Sequence, residues 1–307
     1  MNTTLSCMAA ACFAFCLLMS TSCGRAYDAE PAVDAAVSTK AGQAEAPRDA
    51  PSHLRVTTID VGKGDCILIQ ADGAAVLIDA GYERTAPDVL SYVRAQGVSR
   101  LDAMIITHYD RDHIEGMRPI GEALDVDNIY LPGYEGSDNN YESCMSAVKA
   151  LGVPSHRVTK ELVIHVGDAC LTVFPSGVAY EPGSGKDEGN DNDMSLVVTL
   201  ANGRDSYLFA GDLEEEGIDA YLAARHGQFD VLKMPHHGNR ASNTSELLDD
   251  VRPQIAVITD SREDPASKKV RKLLKAADVQ TCCTSDDGTV VVESDGSGTY
   301  SVARGVW

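Results

Sequence analysis

The chain has 307 residues, of which 44% are hydrophobic and 23% charged, and its formal net charge is −20. This composition is typical of a globular protein and excludes a collagen-like, coiled-coil or wholly disordered chain. So large a negative charge disfavours a general nucleic-acid-binding protein, although a site that holds two divalent cations can still accept an anion.

The N-terminal segment has the pattern of an export signal. Residues 5–19 are apolar throughout but too few to span a bilayer comfortably, as in the hydrophobic part of a signal peptide. Small residues then precede Cys23, as in a bacterial lipobox, although the first six residues carry no Lys or Arg and Ser20 stands where leucine is usual. We predict a signal peptide over 1–23, export to the extracellular face or periplasm, and a membrane anchor through lipidated Cys23. Simple cleavage is the alternative.

Residues 24–52 are rich in Ala, Pro, Asp and Glu without an apolar period, which predicts a flexible tether. Residues 53–307 are predicted to form the functional domain. The chain has no apolar run of about 18 residues, so no transmembrane pore is expected.

Cysteine spacing in the predicted domain excludes a disulfide framework, because no C-x-x-C pair occurs there. A Cys144–Cys170 bridge after export remains open. Cys282 and Cys283 are neighbours on a β-type run and should therefore face opposite sides of a sheet.

The elements along the domain alternate between β and α patterns. Three β-type runs begin at Leu54, and a strand over 101–107 follows a helix over 85–97. A helix is expected over 114–124, with Pro119 as a kink or boundary. The later elements are a strand over 128–133, a helix over 141–151, β runs over 156–174 and 194–210 around a polar loop (180–193), a helix over 213–227, strands over 229–235, 255–261 and 289–295, and a helix over 266–278. The pattern predicts a layered α/β protein with two sheets and outer helices.

The most specific signal is T-H-Y-D-R-D-H over 107–113, directly after a buried strand. It places four potential metal ligands within six residues, at the end of a strand that can hold their backbone rigid. Imidazole and carboxylate together suit zinc, manganese or iron. A solvated polar turn is the alternative interpretation. The ligands are His108, Asp110, Asp112 and His113.

This segment is similar to the H-x-H-x-D-H signature of the metallo-β-lactamase superfamily, with Asp110 at the second histidine. The variant resembles the hydrolase domain of ComEC/Rec2-type DNA-uptake proteins and their free-standing relatives. Further matching motifs follow in the family's order, and together they cover about residues 54–300. They are IDVGKGDCILIQ (59–70), LIDAG (77–81), NDMSLV (192–197), LFAGD (208–212) and VLKMPHHG (231–238).

The resemblance implies a four-layered αββα fold with two mixed sheets between helices. It also implies two divalent metal ions, Zn²⁺ or, because Asp110 makes the site more anionic, Mn²⁺. His108 and Asp110 would bind one metal, Asp112 and His113 the second, and Asp212 would bridge them. His236 would complete the ligand shell, with the neighbouring His237 as a further candidate. Asp112, His113 and Asp212 would serve catalysis.

Other residues are predicted to support the metals or the substrate. Asp65 and Asp79 would orient ligand histidines, with turn capping as the alternative. Lys233 would steer an anionic substrate, and Asn192 and Ser195 would contact substrate or ligands. The family's late His-Pro is absent, because Asp264 precedes Pro265 here. That difference leaves one substrate contact in doubt.

Two metals about 3.5–4 Å apart can share a nucleophilic hydroxide, which implies a hydrolase. The ComEC-type resemblance favours a small or polymeric phosphoester, most of all a phosphodiester. A lactone, thioester or β-lactam hydrolase of the same fold is one alternative, and the acidic surface favours it. A non-catalytic metal-binding surface lipoprotein is another, motivated by the missing late histidine.

Overall fold

The computed structural model describes residues 53–179 and 191–305. The predicted signal peptide with Cys23, the tether over 24–52 and most of the predicted loop over 180–193 lie outside these ranges, so the predicted domain boundaries remain predictions. Within the described ranges, no helix has the length and apolar character needed to cross a membrane.

The first of two large mixed sheets has eight strands. They are β1 (Leu54–Thr58), β2 (Ile67–Ala71), β3 (Ala74–Ile78), β5 (Ala103–Ile105), β7 (Ile129–Pro132), β8 (Ser155–Val158), β16 (Val290–Ser294) and β17 (Tyr300–Arg304). Their order is β17-β16-β1-β2-β3-β5-β7-β8. Pairing is antiparallel from β17 to β3 and parallel from β3 to β8. A separate two-stranded parallel ribbon is formed by β4 (Arg100–Leu101) and β6 (Asp125–Val126). Along the chain, its strands alternate with β5 and β7 of this sheet.

The second sheet has seven strands. They are β9 (Leu162–Val166), β10 (Ala169–Pro175), β11 (Leu196–Asn202), β12 (Asp205–Phe209), β13 (Val231–Lys233), β14 (Ile255–Ile258) and β15 (Gln280–Cys283). They follow one another in space from β9 to β15. Strands β9 to β12 pair antiparallel and β12 to β15 parallel, so the last four strands end at one edge of the sheet.

Helices cover the outer face of each sheet. They are α1 (Ala86–Ala95), α2 (Arg111–Ile114), α3 (Met117–Ala123), α4 (Asn139–Leu151), α5 (Glu215–Ala224), α6 (Thr244–Val251), α7 (Lys268–Ala276) and α8 (Thr284–Asp287). Three hydrophobic clusters separate the layers: α1, α3 and α4 pack on the first sheet, the inner faces of both sheets pack on each other, and α5, α6 and α7 pack on the second sheet.

Strand β2 shows how the sequence builds these layers. Successive side chains on a strand point to opposite faces. Leu68 accordingly packs under the helices, while Ile67 and Ile69 pack between the sheets. The predicted αββα architecture is confirmed.

Three details refine the sequence analysis. The helix expected over 114–124 begins only at Met117, and Pro119 lies in its first turn, where a missing N–H leaves no hydrogen bond unmade. Strand β17 was not predicted, because it is a largely exposed edge strand with little apolar signal. Cys282 packs between the sheets and Cys283 under the helices, as expected, whereas Cys144 and Cys170 are both free thiols.

Candidate metal centre

The predicted ligands come from chain segments that follow strand ends. Strand β5 leads into His108, and β12 leads through Ala210 and Gly211 into Asp212. Strand β13 leads into a 3-10 turn, Pro235–Gly238, that carries two histidines. A backbone hydrogen bond of 2.8 Å from Leu196 N–H to the Thr107 carbonyl joins the two sheets here. The candidate centre therefore lies where the two sheets meet.

Four side chains, the inner group, converge most closely. Its members are Asp112, His113, Asp212 and His237. His237 Nε2 lies 3.2 Å from Asp112 Oδ2 and 2.9 Å from Asp212 Oδ2. His113 Nε2 lies 3.4 Å from the same Asp212 oxygen and 3.9 Å from Asp112 Oδ2. Both histidines are almost fully buried.

Two further predicted ligands, His108 and Asp110, form the outer group. His108 Nε2 lies 3.7 Å from Asp110 Oδ2, and the Asp110 side chain is 31% exposed. His108 is buried, and its ligand atom lies within 4.8 Å of those of His113 and Asp212. Asp212 thus stands between the two groups.

Hydrogen bonds fix the orientation of all three buried histidine rings. His113 Nδ1 lies 2.8 Å from Asp79 Oδ2, and because a carboxylate only accepts, Nδ1 must donate. Thr107 Oγ1 donates to Asp79, so at 3.0 Å it accepts from His108 Nδ1. The protonated Nδ1 atoms leave Nε2 of both rings available as ligand atoms.

His237 is oriented in the same way through an intermediary. Thr259 Oγ1 donates to Asp65 Oδ1 at 2.7 Å, so it accepts from His237 Nδ1 at 3.0 Å. Asp79 thus contacts His113 directly and His108 through Thr107, and Asp65 contacts His237 through Thr259. Their role in orienting metal ligands stays a prediction.

The buried polar atoms test whether a metal ion fits. Nε2 of His108, His113 and His237 is buried, and none makes a well-aligned hydrogen bond among the described residues, although His237 Nε2 lies 2.9 Å from Asp212 Oδ2. Buried polar atoms without partners are rare and call for an explanation such as an ion. Ligands about 2.1 Å from a tetrahedral zinc ion lie about 3.4 Å apart. The separations of 2.9–3.9 Å in the inner group match this value, so these residues fit a divalent metal ion.

Opposite charges perturb the inner group. Burial by itself raises the pKa of Asp112, but contact with His237 and the charges of His113 and His237 outweigh burial and hold it at about 2. Burial lowers the pKa of His237, yet the negative charge of Asp212 and contacts with Asp112 and Asp212 raise it to about 10. Protonated imidazoles therefore balance these carboxylates when no cation does so.

Lys233 is placed differently from its predicted role. Its side chain is 2% exposed and forms an ion pair with Asp65 Oδ2. The ammonium also donates to Asp212 Oδ1 at 3.3 Å and to the Gly211 carbonyl at 3.1 Å. These three acceptors use all three N–H groups of the lysine. Lys233 therefore holds Asp212 in place and has no donor left to steer a substrate.

His236, a predicted metal ligand, belongs to neither group. It is 23% exposed, and its Nδ1 lies 2.9 Å from Glu214 Oε1. His236 and His237 both have positive φ, 45° and 54°, a strained conformation for non-glycine residues. The turn directs His237 into the inner group and His236 to its edge, where Asn192 Nδ2 also donates to Glu214 at 3.2 Å.

Two small residues, Ser195 and Gly211, allow the segment that carries Asp212 to pack closely against the start of β11. Ser195 Oγ accepts the Asp212 N–H at 3.1 Å, so this predicted supporting residue fixes backbone rather than substrate. Gly211 has a φ of 53°, and a Cβ there would lie 2.7 Å from Ser195 Cβ. Asp212 does not cap the following helix, since α5 begins at Glu215 with Glu214 as its cap.

Sequence reasoning missed several supporting groups. Thr107 lies two residues after β5 and contacts His108, and Thr259 directly follows β14 and contacts His237. Both threonines are buried. Asp191 accepts the Tyr109 N–H at 2.9 Å and also the Tyr134 hydroxyl, which fixes the backbone next to His108. Only Thr107 carried a signal, as the residue before the first ligand. The others become neighbours of the centre only through the fold.

The four layers, with a cluster of buried histidines and aspartates where the two sheets meet, define the class of fold to which the chain belongs. A model of the metallo-β-lactamase superfamily matches residues 59–258, and the chain belongs to this superfamily. The resemblance to ComEC-type domains is also confirmed.

Three curated relatives show that resemblance. ComE operon protein 3 of Bacillus subtilis (strain 168) is 29% identical over 274 residues, which cover 82% of this chain and 34% of the relative. Recombination protein 2 of Haemophilus influenzae is 28% identical over 216 residues (69% and 25%). Competence protein ComA of Neisseria gonorrhoeae is 26% identical over 209 residues (67% and 27%). The chain spans between 25% and 34% of the length of these relatives.

Solved structures support the fold. The metallo-β-lactamase fold protein YhfI from Bacillus subtilis superposes with a TM-score of 0.53 at 14% identity, covering 78% of this chain and all of YhfI. A mutant of the β-hydroxylase CmlA gives the same TM-score and identity over 78% of this chain and 54% of its own. These likenesses concern the fold alone.

Proposed function

We propose that this chain is an exported hydrolase that uses two divalent metal ions to cleave a phosphoester, most of all a phosphodiester. The observation that carries the proposal is the convergence of three buried, similarly oriented histidine Nε2 atoms on the carboxylates of Asp112 and Asp212. A buried cluster of this kind would be costly to fold without a cation to bind.

The residues divide into two ligand sets. Asp112, His113 and His237 would hold one ion, His108 and Asp110 the other, and Asp212 would contact both. When bound, two divalent cations supply Lewis-acid chemistry: they lower the pKa of water and neutralise negative charge that develops in the transition state. Zn²⁺ suits the inner set, which has two imidazoles, and Mn²⁺ would be accepted at the outer set, where His108 is joined by the carboxylates of Asp110 and Asp212.

The chain's own side chains would keep the ligands ready. Asp79 accepts the Nδ1 proton of His113 directly and orients His108 through Thr107. The Thr259–Asp65 pair orients His237 in the same way. The Nε2 atom of each ring therefore faces the centre. Lys233 binds one oxygen of Asp212 and leaves Oδ2 directed at the histidines. Such preorganisation limits the rearrangement that binding and reaction require.

The choice of a phosphodiester rests on the relatives. Proteins named for competence and recombination are similar to most of this chain. The net charge of −20 works against a polyanionic substrate at a distance. For that reason a lactone, thioester or β-lactam substrate is the principal alternative, and a non-catalytic metal-binding protein is the second.

The test is metal content followed by a substrate panel. Inductively coupled plasma mass spectrometry on the wild-type chain should give near two equivalents of Zn or Mn, and Asp112→Ala should lose at least one of them. The loaded protein should hydrolyse bis(p-nitrophenyl) phosphate and leave a lactone, a thioester and a β-lactam intact. If the loaded protein hydrolyses the lactone, the thioester or the β-lactam but not the phosphodiester, the phosphoester assignment is wrong. Full metal content without any turnover favours the non-catalytic alternative.

We also propose that the protein is exported and held at a bilayer by lipid on Cys23. Metabolic labelling with an alkyne fatty acid should mark the wild-type chain, while Cys23→Ser should remain unlabelled and be released from the membrane fraction. Equal labelling of both chains contradicts the anchor.

A further inference from the structure

A lysine-bearing turn lies directly against the inner group. Lys63 occupies the turn between β1 and β2, flanked by Gly62 and Gly64. A Cβ on Gly64 would lie 2.7 Å from the Asp112 carbonyl oxygen, and Asp65 N–H donates to the same oxygen at 3.2 Å. The turn is thus fixed to the segment that carries Asp112, so the position of Lys63 is coupled to the metal centre.

The Lys63 ammonium forms an ion pair with Asp264, which is itself 60% exposed. Asp264 lies in the loop after β14, held by reciprocal hydrogen bonds with Ser261, and the same loop begins with the Thr259 that supports His237. The family resemblance places the late histidine at this position. Here the position instead anchors a lysine, at the point where a substrate contact was in doubt.

The Lys63 ammonium remains available, in contrast to that of Lys233. Its side chain is 23% exposed, and among the described residues Asp264 is its one hydrogen-bond acceptor. Two N–H groups are therefore free to bind a ligand.

A second cation lies on the other side of the same turn. The Arg84 guanidinium carbon is 3.6 Å from the centre of the Tyr82 ring, and its Nη2 would lie 4.0 Å from a Cβ on Gly62. The segment that carries Tyr82 is fixed beside the inner group, because Ala80 N–H donates to the His113 carbonyl at 2.8 Å and Gly116 N–H donates to the Gly81 carbonyl at 2.9 Å. Lys63 and Arg84 therefore both lie on segments that are hydrogen-bonded to the chain around Asp112 and His113.

We propose that Lys63 and Arg84 bind an anionic oxygen of the substrate at the entrance to the metal centre. The inference rests on the proposed phosphoester hydrolase function and narrows its substrate to one that carries negative charge beside the reacting group. An ammonium and a planar guanidinium are the groups that proteins use for phosphate oxygens. A neutral lactone offers them no charged partner, and their charges offset part of the acidic field of the chain.

The test compares Lys63→Met, Arg84→Met and the double variant with Lys149→Met, which removes the same charge from an exposed position on α4. Isothermal titration of metal-loaded full-length protein with inorganic phosphate measures anion binding without turnover. We expect the dissociation constant to rise roughly tenfold in the double variant and to stay at the wild-type value in Lys149→Met. Metal content should remain unchanged in all four.

Kinetics provide the second readout. The KM for bis(p-nitrophenyl) phosphate should rise by a similar factor with little change in kcat, and the KM for any neutral ester should not change. Phosphate affinity equal to wild type in the double variant, or no binding of phosphate by the wild type, overturns the inference. If the wild type hydrolyses no phosphoester but loses phosphate affinity on substitution, the proposed function fails and the anion site stands.

Discussion

The inner and outer groups differ in how firmly the protein holds them. In the inner group the four His–Asp distances are 2.9–3.9 Å. Buried Asp79, Thr259 (with Asp65) and Lys233 fix His113, His237 and Asp212, while Asp112 is held by its contacts with the two histidines. In the outer group His108 is fixed through Thr107, but Asp110 is 31% exposed, and its carboxylate has no supporting hydrogen bond among the described residues. The inner group is therefore largely in place before any ion binds, whereas in the outer group only His108 is held in place.

This contrast indicates that the two halves should bind metal unequally. Ligands held in place lose little entropy on binding, and their oriented histidines need no rearrangement. The inner group should therefore fill first and retain its ion longest under a chelator. The outer ion would then depend on Asp212, which is the one residue shared by both groups.

The largest expected effect is that of Asp212→Asn. The amide keeps the shape but removes the negative charge that both groups share, so metal content should fall from near two equivalents to well below one. Hydrolysis should fall by roughly a thousandfold or more. The matched substitution Asp110→Asn should lose the outer ion alone. Equal metal loss in both variants, measured by inductively coupled plasma mass spectrometry, would break the distinction between the halves.

Lys233→Met tests the support beneath the inner group. It leaves Asp65 and Asp212 buried without their cation, which should destabilise the chelated protein by about 3–5 kcal/mol. Lys63→Met removes a partly exposed ion pair and should cost no more than about 1 kcal/mol. Urea unfolding followed by circular dichroism measures both. Bound metal should restore part of the loss in Lys233→Met, and a variant as stable as wild type would show that the buried ammonium is dispensable.

Asp79→Asn addresses the orientation of His113. Asp79 has a φ of 57°, a conformation that asparagine tolerates well, so the backbone should not change. One carboxylate oxygen becomes an amide NH₂, which cannot accept from Thr107 or His113. Inner-site metal affinity should fall about 10- to 100-fold. Competition with a chromophoric chelator measures the change. An unchanged affinity would mean that packing alone orients the ring.

The sequence allowed much of this centre to be predicted, for a physical reason. Four candidate ligands follow one buried strand, and the candidate Asp212 follows another, so the local sequence pattern identifies them. The choice between His236 and His237 could not be predicted, because two consecutive positive-φ residues decide which ring turns inward. The burial of Lys233 was equally hidden, since its partners Asp65 and Asp212 lie far away in the chain. Strand β17 could not be predicted, because an exposed edge strand lacks the alternation of apolar and polar residues that marks a strand in the sequence.

The smallest expected effect is that of a change of one pH unit. In protein that a chelator has stripped of metal, the pKa of His237 is about 10, so the ring is protonated at neutral pH. A metal ion must therefore displace that proton to bind. Metal affinity should therefore rise, by up to about tenfold per pH unit for each proton displaced, between about pH 6 and pH 9.

Stability of the chelated protein should move the opposite way. A pKa raised from 6.5 to about 10 stabilises the folded state fully below 6.5, and this contribution is lost as the pH rises through 10. Titration calorimetry in buffers of different ionisation enthalpy counts the released protons, with exposed His165→Gln as the control that should release the same number. Affinity independent of pH would mean that the histidines of the inner group are already neutral, and that the tight half of the centre owes its strength to geometry rather than to exchange of protons for metal.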